Sequence, residues 1–495
     1  MMLERAYTAL ASINYKIVFA FLFISAVAVF AGLIASTGSL LLVQLLIGMI
    51  GGIALLKAPN VSIWILLSVA LLYGVFASYV PALSKLPWAL ALISMLLLLP
   101  VLLQLITQKQ IPAFIWLAII FMLYALLVTF MQWDSMSQFL AGFKRYFQMY
   151  GLMFALALLA FKPKEYEHWL KLLLVIALIQ LPFALFQRFM LGDISTAAAE
   201  LTDRVAGTLG SSAEGGSSNA QMVAFLIMAA TFVVARFREG LIEKSKTIWL
   251  CILCLMPLVL GETKIVVVLL PLVWFILMRE EFKKHTSKFL LQLFAVLAVT
   301  SVLGLVYLGL NKGVVSGMTN TDIIKQTLEY NIGSQGYGTY ILNRTTVIAF
   351  WWLNHDWHDL IGILFGHGLG SSYFNAGNAV AGNVAVSYIG YGIDLTSASS
   401  LLWDTGVFGL LLFISIFVFA WIAAGRLYKA TKNPRVRADA IAIQACIAVF
   451  AVFIFYDNTL VNILSFELIL ATVFGYLGYL VHQQNMLTHD NSPFK

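Results

Sequence analysis

Asn343-Arg344-Thr345-Thr346-Val347-Ile348-Ala349-Phe350-Trp351-Trp352-Leu353-Asn354-His355 sits inside a break in the hydrophobicity of this chain. From Asn311 to Ser400, about ninety residues carry no apolar run long enough to cross a bilayer. Nearly everything else does. Extended polar backbone cannot face hydrocarbon, where its N–H and C=O groups would stay unpaired. The break therefore belongs outside the bilayer, and the flanking sequence is read as the membrane part.

Composition agrees. Of 495 residues, 61% are hydrophobic and 11% charged, with a mean hydropathy of +0.92. Soluble domains carry roughly 25% charged residues. A spanning helix needs about 20 mostly apolar residues, which predicts about fourteen spans. They fall near 15–36, 38–56, 61–80, 86–107, 111–132, 145–161, 168–190, 219–237, 246–261, 264–279, 288–310, 401–424, 438–456 and 459–481. The expected fold is an all-α polytopic membrane protein with one large, mostly helical extracytoplasmic loop. The first apolar run has no small-residue cleavage site after it and reads as the first span.

Lys and Arg set the orientation. With the N-terminus inside, about 21 of the 30 Lys+Arg fall in inner segments. Arg236/Arg238/Lys244/Lys246, Arg279/Lys283/Lys284/Lys288 and Arg426/Lys429/Lys432/Arg435/Arg437 all share that side. Both termini are then cytoplasmic and 311–400 lies outside. The net charge of +7 is topology, and no nucleic-acid partner is expected. Cys251-x-x-Cys254 lies inside a predicted span, and no second pair or nearby His completes a zinc site.

Four other segments face the loop's side: Trp133–Arg145, Arg188–Ser218, the turn Gly261-Glu262-Thr263-Lys264, and Tyr456-Asp457-Asn458. Lys144, Arg145 and Arg188 are placed to reach headgroup phosphates from helix ends. Lys264 sits beside Glu262 in a short turn, where ionisable groups near membrane depth face a cavity or pair structurally. Arg204 lies in a Gly/Ser-rich segment able either to cradle an anion or to serve as a flexible link. In the large loop, Asn343 reads as a helix cap, Arg344 as a first-turn residue, and Trp351/Trp352 as part of an interfacial apolar face. A cation there opposes the helix dipole, which fits a nearby anion or a salt bridge to Asp203 or Asp394. His355 and His358 have i, i+3 spacing near Asp356, Asp359 and His367, yet read as the solvated end of a helix, and no metal is expected. Gly366-His367-Gly368-Leu369-Gly370 lacks the strand–helix frame of a dinucleotide fingerprint and reads as a tight turn.

In order, these segments resemble the O-antigen ligase/polymerase superfamily of bacterial envelope glycosyltransferases. Arg204-Val-Ala-Gly207-Thr208-Leu-Gly210 with Asn219, the Gly261–Lys264 turn with Lys264 in an arginine position, and Arg344…Gly370 followed by Ser397…Asp404-Thr-Gly406…Gly409 carry the resemblance, over roughly residues 200–425. It implies a membrane-embedded architecture like that of other lipid-carrier glycosyltransferases (GT-C-like). Residues 1–200 and 426–495 would be flanking spans around a 201–425 core. The implied reaction transfers a glycan from an undecaprenyl-pyrophosphate carrier to a hydroxyl, in the bacterial inner membrane, with the loop periplasmic.

Arg204, Lys264 and Arg344 would stabilise the leaving pyrophosphate. Asp404 would orient the donor or a helix, with Asn219, Trp351, Trp352, His367 and Asp394 at the substrate. No cofactor is implied, and a flippase and a chain-length regulator are implied partners. Where ligases of the family carry a His, this chain has Ser397-Ala398-Ser399-Ser400, which favours a polymerase over a ligase. The general base stays open among Asp394, Asp404, His355 and His367. A lipid-linked oligosaccharide transporter and a non-catalytic assembly subunit are the other readings.

Overall fold

The computed structural model describes residues 52, 57–77, 83, 85–107, 111–190, 205–210, 217–261, 265–310, 321–322, 325, 328–329, 333–336, 340–375 and 380–490. The predicted spans at 15–36 and most of 38–56, together with Arg204, Glu262 and Lys264, lie outside them. The chain divides into two compact units, Met1–Pro59 and Asn60–Lys495. The second unit is built almost wholly of helices.

In chain order these are α1 (Pro59–Ala77), α2 (Leu86–Leu96), α3 (Leu98–Thr107), α4 (Ala113–Met131), α5 (Met136–Phe147), α6 (Tyr150–Leu158) and α7 (Pro163–Met190). After these come α8 (Ser217–Arg238), α9 (Lys244–Leu255), α10 (Pro257–Leu260), α11 (Val266–Lys284) and α12 (Thr286–Leu310). The outer segment holds α13 (Thr346–Asn354), α14 (Leu360–Phe365) and α15 (Asn383–Ser387). Finally α16 (Ser397–Ala430), α17 (Pro434–Tyr456) and α18 (Leu464–Asp490) complete the bundle. Among the described residues, eight helical stretches are long and apolar enough to cross a membrane: α1, Leu86–Leu105, α4, α7, Ser218–Arg238, α16, α17 and Leu464–Asn485. That is the signature of a multi-pass membrane protein.

Two expected spans are broken. At 145–161 the chain stops α5 at Phe147 and restarts as the nine-residue α6, every residue of which is buried. The cause is polar: Arg145 and Gln148 turn inward to partners on other elements. At 246–261, Pro257 lacks the N–H a continuous helix needs and divides α9 from α10. The predicted spans at 264–279 and 288–310 are seen as helices α11 and α12, though neither is among the eight.

The bundle's two ends differ. At one, Arg236 Nε bonds Asp439 Oδ1 at 2.8 Å, Arg437 meets Glu239 at 3.2 Å and Arg238 meets Glu281 at 3.7 Å. Arg435 and Glu167 pair there as well. The basic loops singled out in the sequence thus share an end.

At the other end the outer segment folds onto the start of α16 around its own small core: Leu342, Val347, Trp351, Ile363, Ile393 and Trp403 among others. Among its described residues the loop carries the short helices α13, α14 and α15, of nine, six and five residues, and helical positions at 321–322, 325 and 328–329. Turns join these pieces, with the two-residue strands β1 (Phe374–Asn375) and β2 (Val380–Ala381) paired antiparallel. Glycines impose the turns. Gly366 adopts φ 78 and nests against a kink in α16 at Gly406, φ 68. A Cβ on Gly366 would lie 2.5 Å from the Gly406 nitrogen, so backbone meets backbone here.

Asp439 is fully buried and also accepts from the Tyr476 hydroxyl at 2.7 Å. Arg236→Ala strands that carboxylate and is expected to destabilise the fold by about 3 to 5 kcal/mol. Thermal unfolding in detergent checks this. The double variant Arg236→Met/Asp439→Leu should recover most of the loss, and an unchanged midpoint in Arg236→Ala would show that the pair holds nothing together.

Candidate functional site

The site forms where the start of α16 meets the turn between α17 and α18. A capping box opens α16: the Thr396 hydroxyl accepts from the Ser399 N–H at 3.0 Å, and the Ser399 hydroxyl from the Thr396 N–H at 3.1 Å. Ser397 donates both its N–H and its hydroxyl to the Asp457 carbonyl, each at 2.8 Å. The Asp394 carbonyl accepts from Asn458 Nδ2 at 2.9 Å and from the Ser400 hydroxyl at 3.3 Å. Ser397, Ser399 and Ser400 are fully buried. The serines standing where the resemblance expects a His are therefore spent on stitching two chain segments together.

Two arginines are fixed along this seam. Arg145 is 3% exposed. Its Nε donates to Asn462 Oδ1 at 3.0 Å, its Nη2 to Asp394 Oδ2 at 3.2 Å, and its guanidinium lies 3.9 Å from the Tyr373 ring centroid. Its Nη1 is buried with no hydrogen-bond partner among the described residues. Arg344, half-buried, donates from Nε to the Tyr456 carbonyl at 2.7 Å and stacks 4.2 Å from the Tyr456 ring centroid. Arg344 follows the capping Asn343 directly, two residues ahead of Thr346 at the start of α13. Asn343 supplies the cap through Oδ1, which accepts from the N–H groups of Thr345 at 3.0 Å and Thr346 at 2.9 Å.

Two carboxyls flank the arginines. Burial pushes Asp394 above the ordinary carboxylate range, while Arg145 pulls the other way. Asp457, half-buried, is pushed up to about 6 by burial, against the pull of Thr459 and Arg344. Its Oδ2 is buried without a partner among the described residues.

Asp404 has a different job. It is fully buried, and Oδ1 accepts from Ser371 Oγ and the Ser372 N–H, both at 2.8 Å. Oδ2 accepts from the Tyr146 hydroxyl at 3.0 Å and the Gly370 N–H at 3.1 Å. With both oxygens engaged, Asp404 orients the glycine turn on α16 and has no lone pair aimed at a reactant.

The aromatic residues separate. Trp351 is a core residue at 3% exposed, whereas Trp352 is 58% exposed and meets Trp357 edge-on at 4.4 Å. Trp352, Leu353, Trp357, Leu360 and Ile361 form an exposed apolar run suited to a membrane interface. Behind it, His355 stacks on Trp403 at 5.5 Å and on His367 at 5.5 Å. His355, Asp359 and His367 place one ligand atom each within 4.8 Å of one another. His358, the partner that helical spacing offered, is exposed and outside this group. Burial holds both imidazoles below the usual histidine value, with the Asp359 carboxylate opposing the shift.

The segment after Arg204 is built in firmly. Gln187 Oε1 accepts from the Gly207 N–H at 2.7 Å, Gln180 Oε1 from the Thr208 N–H at 2.8 Å, and the Thr208 hydroxyl donates to the Leu71 carbonyl at 2.6 Å. Residues 205–209 are buried. A flexible link does not describe them. Asn219 is buried against Gly261, where an added Cβ would come within 2.8 Å of its amide. The chain on the far side of Arg204 and on either side of the Lys264 turn is thus ordered, although both cations lie outside the described residues.

Sequence reading sent Arg145 to the headgroups, and the structure buries it. A signal was present: Gln138, Arg145 and Gln148, all buried, recur on one face of an otherwise aromatic helical stretch. Gln148 Nε2 completes that stripe by donating to Glu467 Oε1 at 2.6 Å. Neither a scan of protein-family models nor a search of curated proteins returns a match for this chain.

A group whose folded value is raised stabilises the fold fully below its unfolded value and loses that contribution as pH climbs through the folded one. Asp457 should therefore weaken the fold as pH passes from about 5 to 7. In Asp457→Asn, the amide replaces the neutral acid and keeps the acceptor for Thr459. Its melting midpoint relative to wild type should rise across that window, equivalent to about 1.3 kcal/mol. Parallel pH–melting curves for the two proteins would refute a buried, titrating Asp457.

Proposed function

We propose that this chain is a membrane glycosyltransferase that polymerises undecaprenyl-pyrophosphate-linked oligosaccharide repeat units into a surface polysaccharide. The observation that carries the reading is the pair of immobilised guanidiniums, Arg145 and Arg344, on one polar seam at one end of an apolar bundle. A departing pyrophosphate needs fixed cationic donors, and a preorganised guanidinium supplies them without reorganisation. The unpartnered Nη1 of Arg145 is such a donor.

In the proposed step, the acceptor hydroxyl oxygen forms a bond to the anomeric carbon of the donor. The carbon–oxygen bond to pyrophosphate breaks, and its electron pair leaves on undecaprenyl pyrophosphate. The hydroxyl proton goes to Asp394. Asp394 is preferred to Asp404 because only its Oδ2 is engaged, by Arg145, and its side chain is 19% exposed. Burial keeps that carboxyl more basic than an ordinary one. Arg344 and Arg145 receive the pyrophosphate, with Arg204 and Lys264 as the further cations of the motif resemblance. Trp352 and its apolar neighbours hold the lipid end at the interface. On this reading the bundle has fourteen spans in a GT-C-like arrangement, with both termini cytoplasmic and the seam at the periplasmic face of the inner membrane.

The test incubates detergent-purified protein with lipid-linked repeat units and resolves the glycan by gel electrophoresis. Wild type should give a ladder. Arg344→Ala and Arg145→Ala should each cut its formation by about a hundredfold or more, and Asp394→Asn by a similar factor, with elution profiles unchanged. Transfer to an added lipid A–core acceptor without a ladder would make the chain a ligase. Ladder formation that survives Arg344→Ala would overturn the assignment of the seam.

A further inference from the structure

We infer that His355, Asp359 and His367 form a binding site for a divalent transition metal, zinc by the chemistry of its donors, which ties three pieces of the outer segment together beside the start of α16. The site is separate from the arginine seam and does not depend on the glycosyltransferase reading.

The three donors are close enough to share one ion. Ligand atoms that lie within 4.8 Å of one another all lie within about 2.8 Å of a common point. Zinc–nitrogen and zinc–oxygen bonds are about 2.0 to 2.2 Å, so side-chain shifts below about 1 Å would close the site. The donors arrive from three pieces of chain: His355 just past the end of α13, Asp359 as the cap of α14, and His367 in the glycine turn.

A second observation points to a ligand. His355 is 7% exposed, yet its Nδ1 is buried with no hydrogen-bond partner among the described residues. A buried ring nitrogen in that state needs an explanation, and an ion beside two other ligand atoms is one. Ring stacking on Trp403 accounts for the packing of the imidazoles and leaves that nitrogen unexplained.

The surrounding chain also orients the donors. Asp359 Oδ1 accepts from the Gly362 N–H at 3.0 Å. Oδ2 lies on the His367 side, since a Cβ on Gly362 would fall 2.3 Å from Oδ2 and 2.9 Å from His367 Cε1. The missing side chain at Gly362 is what lets carboxylate and imidazole approach. The His367 N–H donates to the Trp403 carbonyl at 2.9 Å, which fixes its backbone to α16. Two imidazoles and one carboxylate suit zinc and its transition-metal neighbours, and argue against calcium or magnesium, which take oxygen ligands. Asp359 is exposed and opens an entry path.

The experiment uses the full chain in detergent, purified with a tag free of histidine, stripped with chelator and titrated with Zn²⁺ and Co²⁺. Wild type should bind one Zn²⁺ per chain, read by elemental analysis, and its Co²⁺ form should show the visible absorption of a low-coordinate N/O site. His367→Ala and Asp359→Asn should weaken binding at least about tenfold. Asn keeps the α14 cap, so that variant tests the ligand without removing the helix start. Gly362→Ala should weaken binding too, while His358→Ala binds like wild type. Chelator should lower the melting midpoint of wild type and leave that of Asp359→Asn unmoved. Less than stoichiometric binding by wild type, full binding by His367→Ala, or a cobalt–thiolate band reporting Cys251 and Cys254 would each overturn the site.

Discussion

Asp404 holds the outer segment to the membrane bundle. Four donors from two distant stretches of chain converge on one carboxylate that is fully withdrawn from solvent: Gly370, Ser371 and Ser372 from the turn and Tyr146 from α5. A buried carboxyl is tolerable at that depth only because its oxygens are satisfied by fixed donors. Its position in the sequence, two residues before the Gly406 kink, lets the turn lie against α16 backbone to backbone. Once the turn is seated, His367 faces His355, and the segment from Asp394 to Ser400 is delivered to the carbonyl of Asp457. Replacing the carboxylate would leave the Gly370 and Ser372 N–H groups unpaired, at about 1 to 3 kcal/mol for each buried group.

Much of this was legible from residue type and spacing. Apolar runs identified the long helices because a bilayer demands internal pairing of every backbone polar group, so length and apolarity suffice to mark a span. The break after residue 310 stood out for the same reason, and the glycine turn was readable because positive φ at Gly366, Gly368 and Gly370 is nearly a glycine preserve. What hydropathy could not show was the interruption at Gln148. Averaging over a window hides a polar stripe when aromatic residues surround it, and whether Arg145 reaches water or Asp394 depends on a segment about 250 positions away.

Asp359 and His367 were invisible as a pair for a related reason. Helical spacing proposes His355 with His358, but α13 ends at Asn354 and the chain turns before Asp359 caps the next helix. Proximity here is made by a turn and a glycine without a side chain, neither of which has a period. Trp351 and Trp352 show the same limit at smaller scale: adjacent residues on one helix face opposite surroundings, and only the small core under the loop decides which is buried.

The cost of keeping arginines on the seam bears on what the seam is for. A buried ion pair is a poor device for stability, since withdrawing two charges from water offsets most of their attraction. Arg145 is nevertheless 3% exposed, carries one carboxylate partner and retains an Nη1 unsatisfied by any described residue. Asp457, a carboxyl within electrostatic reach of Arg344, is pushed up to about 6 by burial. Elsewhere in the fold Arg236 meets the buried Asp439 through two nitrogens, whereas Arg145 meets Asp394 through one. On the proposed function, the Arg145 Nη1 left over by the described residues is kept for the pyrophosphate, and the tyrosine rings beside both guanidiniums hold them in place.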